Sequence, residues 1–203
     1  MTTPIASAAG YGTHAAALSE QYESLTFARV HRGVLHLFPT RPSDVLDIGA
    51  GSGRDAAALA QIGHRVVAVE PTAELRSEGQ RRHAFLPIEW IDEHLPSLET
   101  LRRSQRRFDL ILLTAVWMHL DETERSTAMG TIAALLRECG LVSMSLRHGP
   151  VPPGRRMFDV SAEETIELGA RFGLRGIHQS AQDDAQGRPD IRWSFVVLQR
   201  TRT

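Results

Sequence analysis

The sequence predicts an α/β fold: a mostly parallel sheet with helices on both faces. Short apolar runs alternate with helical patterns, and strand–helix–strand units imply parallel pairing with helices packed across the sheet. The first such unit carries Gly49, Gly51 and Gly53 at alternate positions, directly after a strand and before a helix. After the fifth strand come one helix and two strands joined by a polar turn, which adds a closing hairpin with one antiparallel strand.

In chain order, Met1 to Gly10 reads as a loose arm. His14 to Leu37 reads as one or two helices, because Leu18, Leu25, Val30 and Val34 recur at roughly helical spacing. Phe38 to Pro42 ends that segment. Strands are predicted at Asp44–Ile48, Arg65–Glu70, Leu86–Ile91, Leu110–Thr114 and Leu141–Leu146. Helices are predicted at Ala56–Ile62, Ala73–His83 and Glu122–Arg137, with Leu98–Arg107 a short basic helix or loop. Gly140 is expected to turn the chain into the fifth strand. Ser161 with Glu164 three residues on gives the capping box of a helix to Phe172. Leu174–Ser180 and Ile191–Leu198 complete seven strands around the turn stretch Asp183–Asp190.

A chain of 203 residues, 42% hydrophobic, suits one domain. A net charge of -1 gives no electrostatic case for nucleic acid or an acidic membrane. Lysine is absent, which excludes Schiff-base chemistry and a P-loop lysine. Cys139 is the single cysteine, so neither an internal disulfide nor a multi-cysteine metal site can form. The first residues lack the basic and apolar regions of a signal peptide, and no apolar run approaches the ~20 residues of a membrane span. A soluble cytoplasmic protein is expected.

Val45, Leu46 and Ile48 read as a buried strand that the glycines break. Glycine lets a backbone approach a ligand that a Cβ would hold off, and the N–H groups opening the next helix favour polar or anionic groups. The dinucleotide fingerprint G-x-G-x-x-G would need a third glycine where Arg54 stands. The second strand ends in Glu70, beside the glycine turn, where a carboxylate can accept both hydroxyls of a ribose.

Val45 to Gly53 resembles motif I of the class I S-adenosylmethionine-dependent methyltransferases, and Glu70 resembles their ribose-binding acid. The likeness continues through Asp92–Glu93–His94–Leu95–Pro96 and Phe108–Asp109–Leu110–Ile111–Leu112–Leu113, covering roughly residues 44–146. It implies a Rossmann-like doubly wound seven-stranded sheet. The domain 1–203 would divide into a helical lid at 1–42, a cofactor-binding core at 43–146, and a substrate loop, helix and hairpin at 147–203. The cofactor it implies is S-adenosylmethionine, with S-adenosylhomocysteine as product and no metal. Gly49, Gly51 and Gly53 would lie against the methionine portion, with Asp47 on the amino group and Arg54 on the carboxylate. Glu70, with Pro71 beside it, would take the ribose. Asp92 would hold the adenine amine, Ile91 or Glu93 would add a backbone or packing contact, and Thr114 would sit by the sulfonium. In such proteins a lid tyrosine often faces the ligand, and Tyr11 and Tyr22 are the two tyrosines here. Plainer alternatives stay open: Asp47 serving the turn, and Tyr22 packing on a helix face. Asp55 is read as a structural residue of the helix start.

Methyl transfer from a sulfonium needs few side chains, because the donor is already activated and the leaving group is neutral. Positioning supplies much of the rate, and a base helps only a protonated nucleophile. Acceptor residues are expected at the carboxyl ends of strands four and five, where open α/β sheets bind ligands. Trp117, Met118 and His119 follow strand four, with His119 the candidate base or else a capping or packing residue. Arg147 and His148 end strand five, and Arg155 and Arg156 follow in the loop, where they receive an anionic acceptor or simply face solvent. Trp193 is placed in the core. Thr114–Ala115–Val116–Trp117 stands where base-flipping N-methylating enzymes carry N/D-P-P-Y, which argues against DNA. No aromatic interleaves Arg102, Arg103, Arg106 and Arg107, so they read as a solvated face and hardly suggest RNA. A methyl group moved to O or N of a small molecule is the leading expectation. RNA or protein methylation, a non-catalytic cofactor-binding domain and an NAD-linked oxidoreductase are the alternatives.

Overall fold

Strand β1 (Asp44–Ile48) lies in the middle of a seven-stranded sheet in this computed structural model, which describes residues 15–202. β2 (Arg65–Val69) and β4 (Phe108–Thr114) flank it in parallel. β3 (Ile88–Ile91) lies outside β2, and β5 (Leu136–His148) outside β4. β7 (Arg192–Arg200) runs antiparallel to β5, and β6 (Leu174–Asp183) forms the edge antiparallel to β7. The order β3-β2-β1-β4-β5-β7-β6 has β7 as its one reversed strand, as the sequence predicts.

The central strands are apolar on both faces because each face is covered. Side chains alternate across the pleat. Leu46, Ile48, Val67, Val69, Ile111 and Leu113 join one buried cluster, and Val45, Val66, Ala68, Leu110 and Leu112 join the other. The first cluster is closed by α6 (Glu122–Leu135) through Met129, Ile132 and Leu135, and by α5 (Glu99–Arg103) through Leu101. The second is closed by α3 (Arg54–Gln61) through Ala56, Leu59 and Ala60, with Val34 and Phe38 beside it. α4 (Ala73–Arg82) follows β2, and α7 (Ala162–Ala170) packs on β6 and β7. Ahead of the sheet lie α1 (Ala15–Glu23), α2 (Phe27–Val30) and a 3-10 turn at Leu35–Leu37.

Several boundaries differ from expectation. α3 starts at Arg54, two residues early, because Gly53 in a left-handed conformation serves as its N-cap. α6 stops at Leu135 and β5 begins at once. Leu136 already pairs with Phe108 and Leu141 with Leu110, so the intervening residues, including Cys139 at φ 60°, form a bulge. Gly140 therefore lies inside a strand, and a Cβ there would meet the Arg137 carbonyl oxygen at 2.9 Å. β6 and β7 are longer than predicted, leaving a short turn organised by buried Asp184. Asp184 accepts hydrogen bonds from Arg188 and from the Trp193 indole. The capping box of Ser161 and Glu164 forms as expected. Of the arginine run, Arg103 pairs with Glu99 and Arg106 with Glu89.

Candidate active site

The carboxyl ends of β1, β2 and β4 open on a cavity of about 180 Å³. Asp47, Gly49, Gly51, Arg54, Glu70, Pro71, Glu93, Thr114 and His119 line it, and Tyr22 roofs it from α1. The glycine turn is bent by positive φ at Gly49, Gly51 and Gly53. A Cβ on Gly49 would meet the Val116 methyl at 2.5 Å. The Tyr22 ring lies 3.4 Å from where a Cβ on Gly51 would stand.

Glu70 is buried and fixed by two backbone donors, Gly51 N to Oε2 at 2.9 Å and Thr72 N to Oε1 at 2.8 Å. Burial pushes its pKa above the usual range against those bonds. Each oxygen keeps further acceptor capacity for hydroxyl donors. Asp47 is buried too, and its Oδ2 has no hydrogen-bond partner among the described residues. Burial, with the negative charges of Asp55 and Glu70 nearby, raises its pKa well above the carboxylate range. A buried carboxylate oxygen left unpaired at a cavity wall costs free energy that a cationic ligand group can recover.

Arg54 lines the cavity, but its guanidinium is engaged by groups of the protein itself. Its Nε donates to Asp55 Oδ1 at 2.6 Å, and a terminal nitrogen reaches the Tyr22 carbonyl at 3.4 Å. Asp55 is a buried hub with His31 Nε2 2.8 Å from its Oδ2 and the Thr114 hydroxyl donating to the same oxygen at 2.7 Å. Burial alone would raise the Asp55 pKa, yet Arg54 and His31 hold it well below the usual range. Glu23, at the end of α1, accepts from the Ser52 hydroxyl at 2.7 Å and lies 3.3 Å from His83 Nε2, joining α1 to the glycine turn. Sequence reasoning missed His31, Glu23 and Ser52. Their partners lie far off along the chain, and no local pattern marks them.

A second cavity of about 330 Å³ adjoins the first, and Tyr22, Arg54, Thr114, Ala115 and His119 line both. His119 sits on a 3-10 turn, Trp117–His119, directly after β4. Its Nδ1 lies 2.7 Å from the Arg156 carbonyl, which only an N–H can satisfy, so Nδ1 carries the proton and Nε2 the lone pair. Burial first, and after it the charges of Arg155, Arg156 and Arg147, lower its pKa against the opposing pull of the Arg156 carbonyl hydrogen bond.

Some expectations do not survive. Gly53 is not a ligand-approach glycine, because a Cβ there would meet the Trp90 ring at 2.7 Å. Asp92, one step past Ile91 on the pleat, points outward to Arg76 at 2.8 Å and does not line the cavity. Glu93 lines it, but its carboxylate caps α5 through Thr100 N and Leu101 N. Trp117 is fully buried in the core, because the 3-10 turn rolls it beneath the sheet while His119 faces the cavities. His148 lines neither cavity and meets Ser194 Oγ at 2.8 Å, whereas Ser145 and Arg147, on the other face of β5, line the second. Arg156 is taken up by Asp121 and Glu124. Met118, Arg155 and Trp193 line the second cavity, and half-buried Trp193 also packs against both core clusters. Tyr11 lies outside the described residues.

Comparison with known proteins fits this arrangement. Residues 45–140 match the family described as "Methyltransferase domain". The ubiquinone biosynthesis O-methyltransferase of Methylocella silvestris is 31% identical over 144 residues, 66% of this chain and 49% of that protein. An uncharacterized methyltransferase of Mycobacterium tuberculosis is 30% identical over 60% of this chain and 64% of its own length. The chain thus spans about half to two-thirds of these relatives. The solved 1,6-didemethyltoxoflavin-N1-methyltransferase of Burkholderia thailandensis shares the fold, with TM-score 0.68 and 21% identity over 100% of this chain and 94% of that one. A TehB-like methyltransferase of Corynebacterium glutamicum gives TM-score 0.67 and 20% identity over 94% and 99%. Residues 45–140, the core of this chain, thus match a methyltransferase domain, and the fold is that of solved S-adenosylmethionine-dependent methyltransferases.

Proposed function

We propose that the protein moves a methyl group from S-adenosylmethionine to an oxygen or nitrogen of a small molecule. The observation that carries this reading is His119, whose imidazole lines two adjoining cavities while its Nδ1 lies 2.7 Å from the Arg156 carbonyl. Bound in the first cavity, S-adenosylmethionine would supply an activated methyl on a sulfonium. Asp47 Oδ2 would take the ammonium, Glu70 the ribose hydroxyls, and the Tyr22 ring would cover the ligand from α1. Thr114 and Ala115, which line both cavities, would lie between the donor and the acceptor. His119 Nε2 accepts the proton that an O–H or N–H acceptor gives up, and the neighbouring arginines favour return to the neutral ring.

A small acceptor follows from the covering of the second cavity. Gln21 Nε2 donates to Gln186 Oε1 at 2.8 Å, and an Arg29 terminal nitrogen donates to the Ala185 carbonyl at 2.8 Å. These bonds tie the N-terminal helices to the β6–β7 turn at the wall of the second cavity, which suits a small molecule better than a polymer. The test is titration with S-adenosylmethionine, S-adenosylhomocysteine and NAD, followed by an acceptor screen with labelled methyl groups. Binding of the sulfur nucleotides and label transfer to small O–H or N–H acceptors support the reading. Binding of NAD alone overturns it.

A further inference from the structure

Resting on the methyl-transfer reading, we propose that Asp55 is a positioning residue that acts on the donor through Thr114. It holds the Thr114 hydroxyl proton, so the hydroxyl oxygen offers a lone pair to the positively charged methyl end of S-adenosylmethionine. Tyr22, Arg54, Thr114, Ala115 and His119 line both cavities. With the donor's ammonium at Asp47 and its ribose at Glu70, a methyl group bound for the second cavity has to pass among these five. Thr114 closes β4, the parallel neighbour of β1, and Asp55 stands in the first turn of α3, after the glycine turn that ends β1. The strand order thereby brings the two side chains together.

Buried Asp55 accepts on both oxygens: from Arg54 Nε at 2.6 Å on Oδ1, and from His31 Nε2 at 2.8 Å and the Thr114 hydroxyl at 2.7 Å on Oδ2. Burial opposes the charge on Asp55, but Arg54 and His31 outweigh it and keep the carboxyl ionised. An ionised carboxylate can only accept, so the single hydroxyl proton of Thr114 is committed to it. What that hydroxyl has left for a ligand are acceptor sites. A hydroxyl free to rotate would serve donors and acceptors alike, whereas this one is fixed as an acceptor. It suits the polarised C–H groups of a sulfonium methyl, and an ammonium N–H more strongly. The thioether that remains after transfer has neither the charge nor the methyl. The Asp55–Thr114 pair therefore holds the donor more tightly than the spent product.

The test is calorimetric titration of the full chain with S-adenosylmethionine, S-adenosylhomocysteine and sinefungin, in which an ammonium-bearing carbon replaces the sulfonium and its methyl. The three share their amino-acid and adenosine portions, so contacts at Asp47 and Glu70 cancel in the affinity ratios. Sinefungin should bind about tenfold tighter than S-adenosylhomocysteine. S-adenosylmethionine should bind about threefold tighter, because C–H is the weaker donor. Thr114→Val keeps the shape and loses the oxygen, and it should bring both ratios toward one. Thr114→Ser keeps the oxygen and should keep the ratios. Asp55→Asn, checked for folding by its melting temperature, should shrink them, because an amide can donate to the hydroxyl and turn its proton around. Where Asp55→Asn does not fold, the Thr114 pair decides. Ratios near one in the wild type, or unchanged in Thr114→Val or in folded Asp55→Asn, overturn the proposal. Failure of all three nucleotides to bind removes the methyl-transfer reading and this inference with it, whereas binding without preference overturns this inference alone.

Discussion

His119 and Arg156 hold each other in both directions. The His119 ring nitrogen Nδ1 donates to the Arg156 carbonyl at 2.7 Å, and the Arg156 guanidinium donates to the His119 carbonyl at 3.1 Å. Asp121 and Glu124 anchor that guanidinium at the start of α6, and the Phe158 N–H donates to the Met118 carbonyl at 2.8 Å. The loop after β5 thus sets the orientation of a residue that follows β4.

Arg156 is accordingly a positioning residue. Arg156→Gln should lower kcat while leaving cofactor affinity in place. Its charge also helps depress the His119 pKa. A base works when deprotonated, so losing that charge should move the acid limb of the pH–rate profile upward. An unmoved limb would show that Arg156 serves only the loop.

His119→Gln should slow turnover by about 10²–10⁴-fold, the range for loss of a general base. Calorimetric affinity for S-adenosylhomocysteine should stay near wild type. Wild-type turnover would return His119 to a packing role.

Asp47 predicts a proton count. In the ligand-free protein it holds its proton to higher pH than an ordinary aspartate. An incoming ammonium favours the carboxylate, so cofactor binding should release a proton. Titration in buffers of different ionisation enthalpy measures it, and affinity should rise with pH until Asp47 ionises unaided. Because its folded pKa is raised, Asp47 favours folding at low pH, and that contribution fades as pH rises through the folded value. Asp47→Asn should therefore weaken cofactor binding without lowering the melting temperature.

Glu70→Ala should cost about 1–3 kcal/mol of cofactor binding, the value of hydrogen bonds to a charged group. It also frees the Gly51 N–H, so the glycine turn should exchange amide hydrogen faster. Unchanged affinity would remove Glu70 from the site.

His31→Ala breaks a buried pair and leaves Asp55 with fewer partners. A loss of about 3–5 kcal/mol is expected in urea unfolding. Asp55 has a depressed pKa, so its stabilisation is full above the ordinary carboxylate range and disappears as pH falls through the folded value. The wild-type advantage over the variant should shrink in acid.

Strands and glycine turn were legible because their signals are local. Val45, Leu46 and Ile48 mark a buried run, and the spacing from strand to Glu70 brings that acid back to the turn. Side-chain direction at an element's end was less legible. Asp92 and Glu93 are adjacent just past the end of β3, and one turns out to Arg76 while the other turns to the first backbone N–H groups of α5. Trp117 and His119 share a short turn, and its roll decided which faced the core. The early start of β5 was hidden because the bulge at Cys139 and Gly140 looks like a loop in sequence. The second cavity's enclosure depends on contacts such as Gln21 with Gln186, which join opposite ends of the chain.

The strand order has a consequence for synthesis. Every described residue lining the first cavity falls between Tyr22 and Leu120, whereas the described lining of the second runs on to Phe195. β6 leaves the ribosome before β7, yet it pairs with the sheet only through β7. The nascent chain therefore carries every described wall residue of the first cavity before the last strand exists. Pairing of β7 with β5 brings β6 onto the sheet and completes the walls of the second cavity.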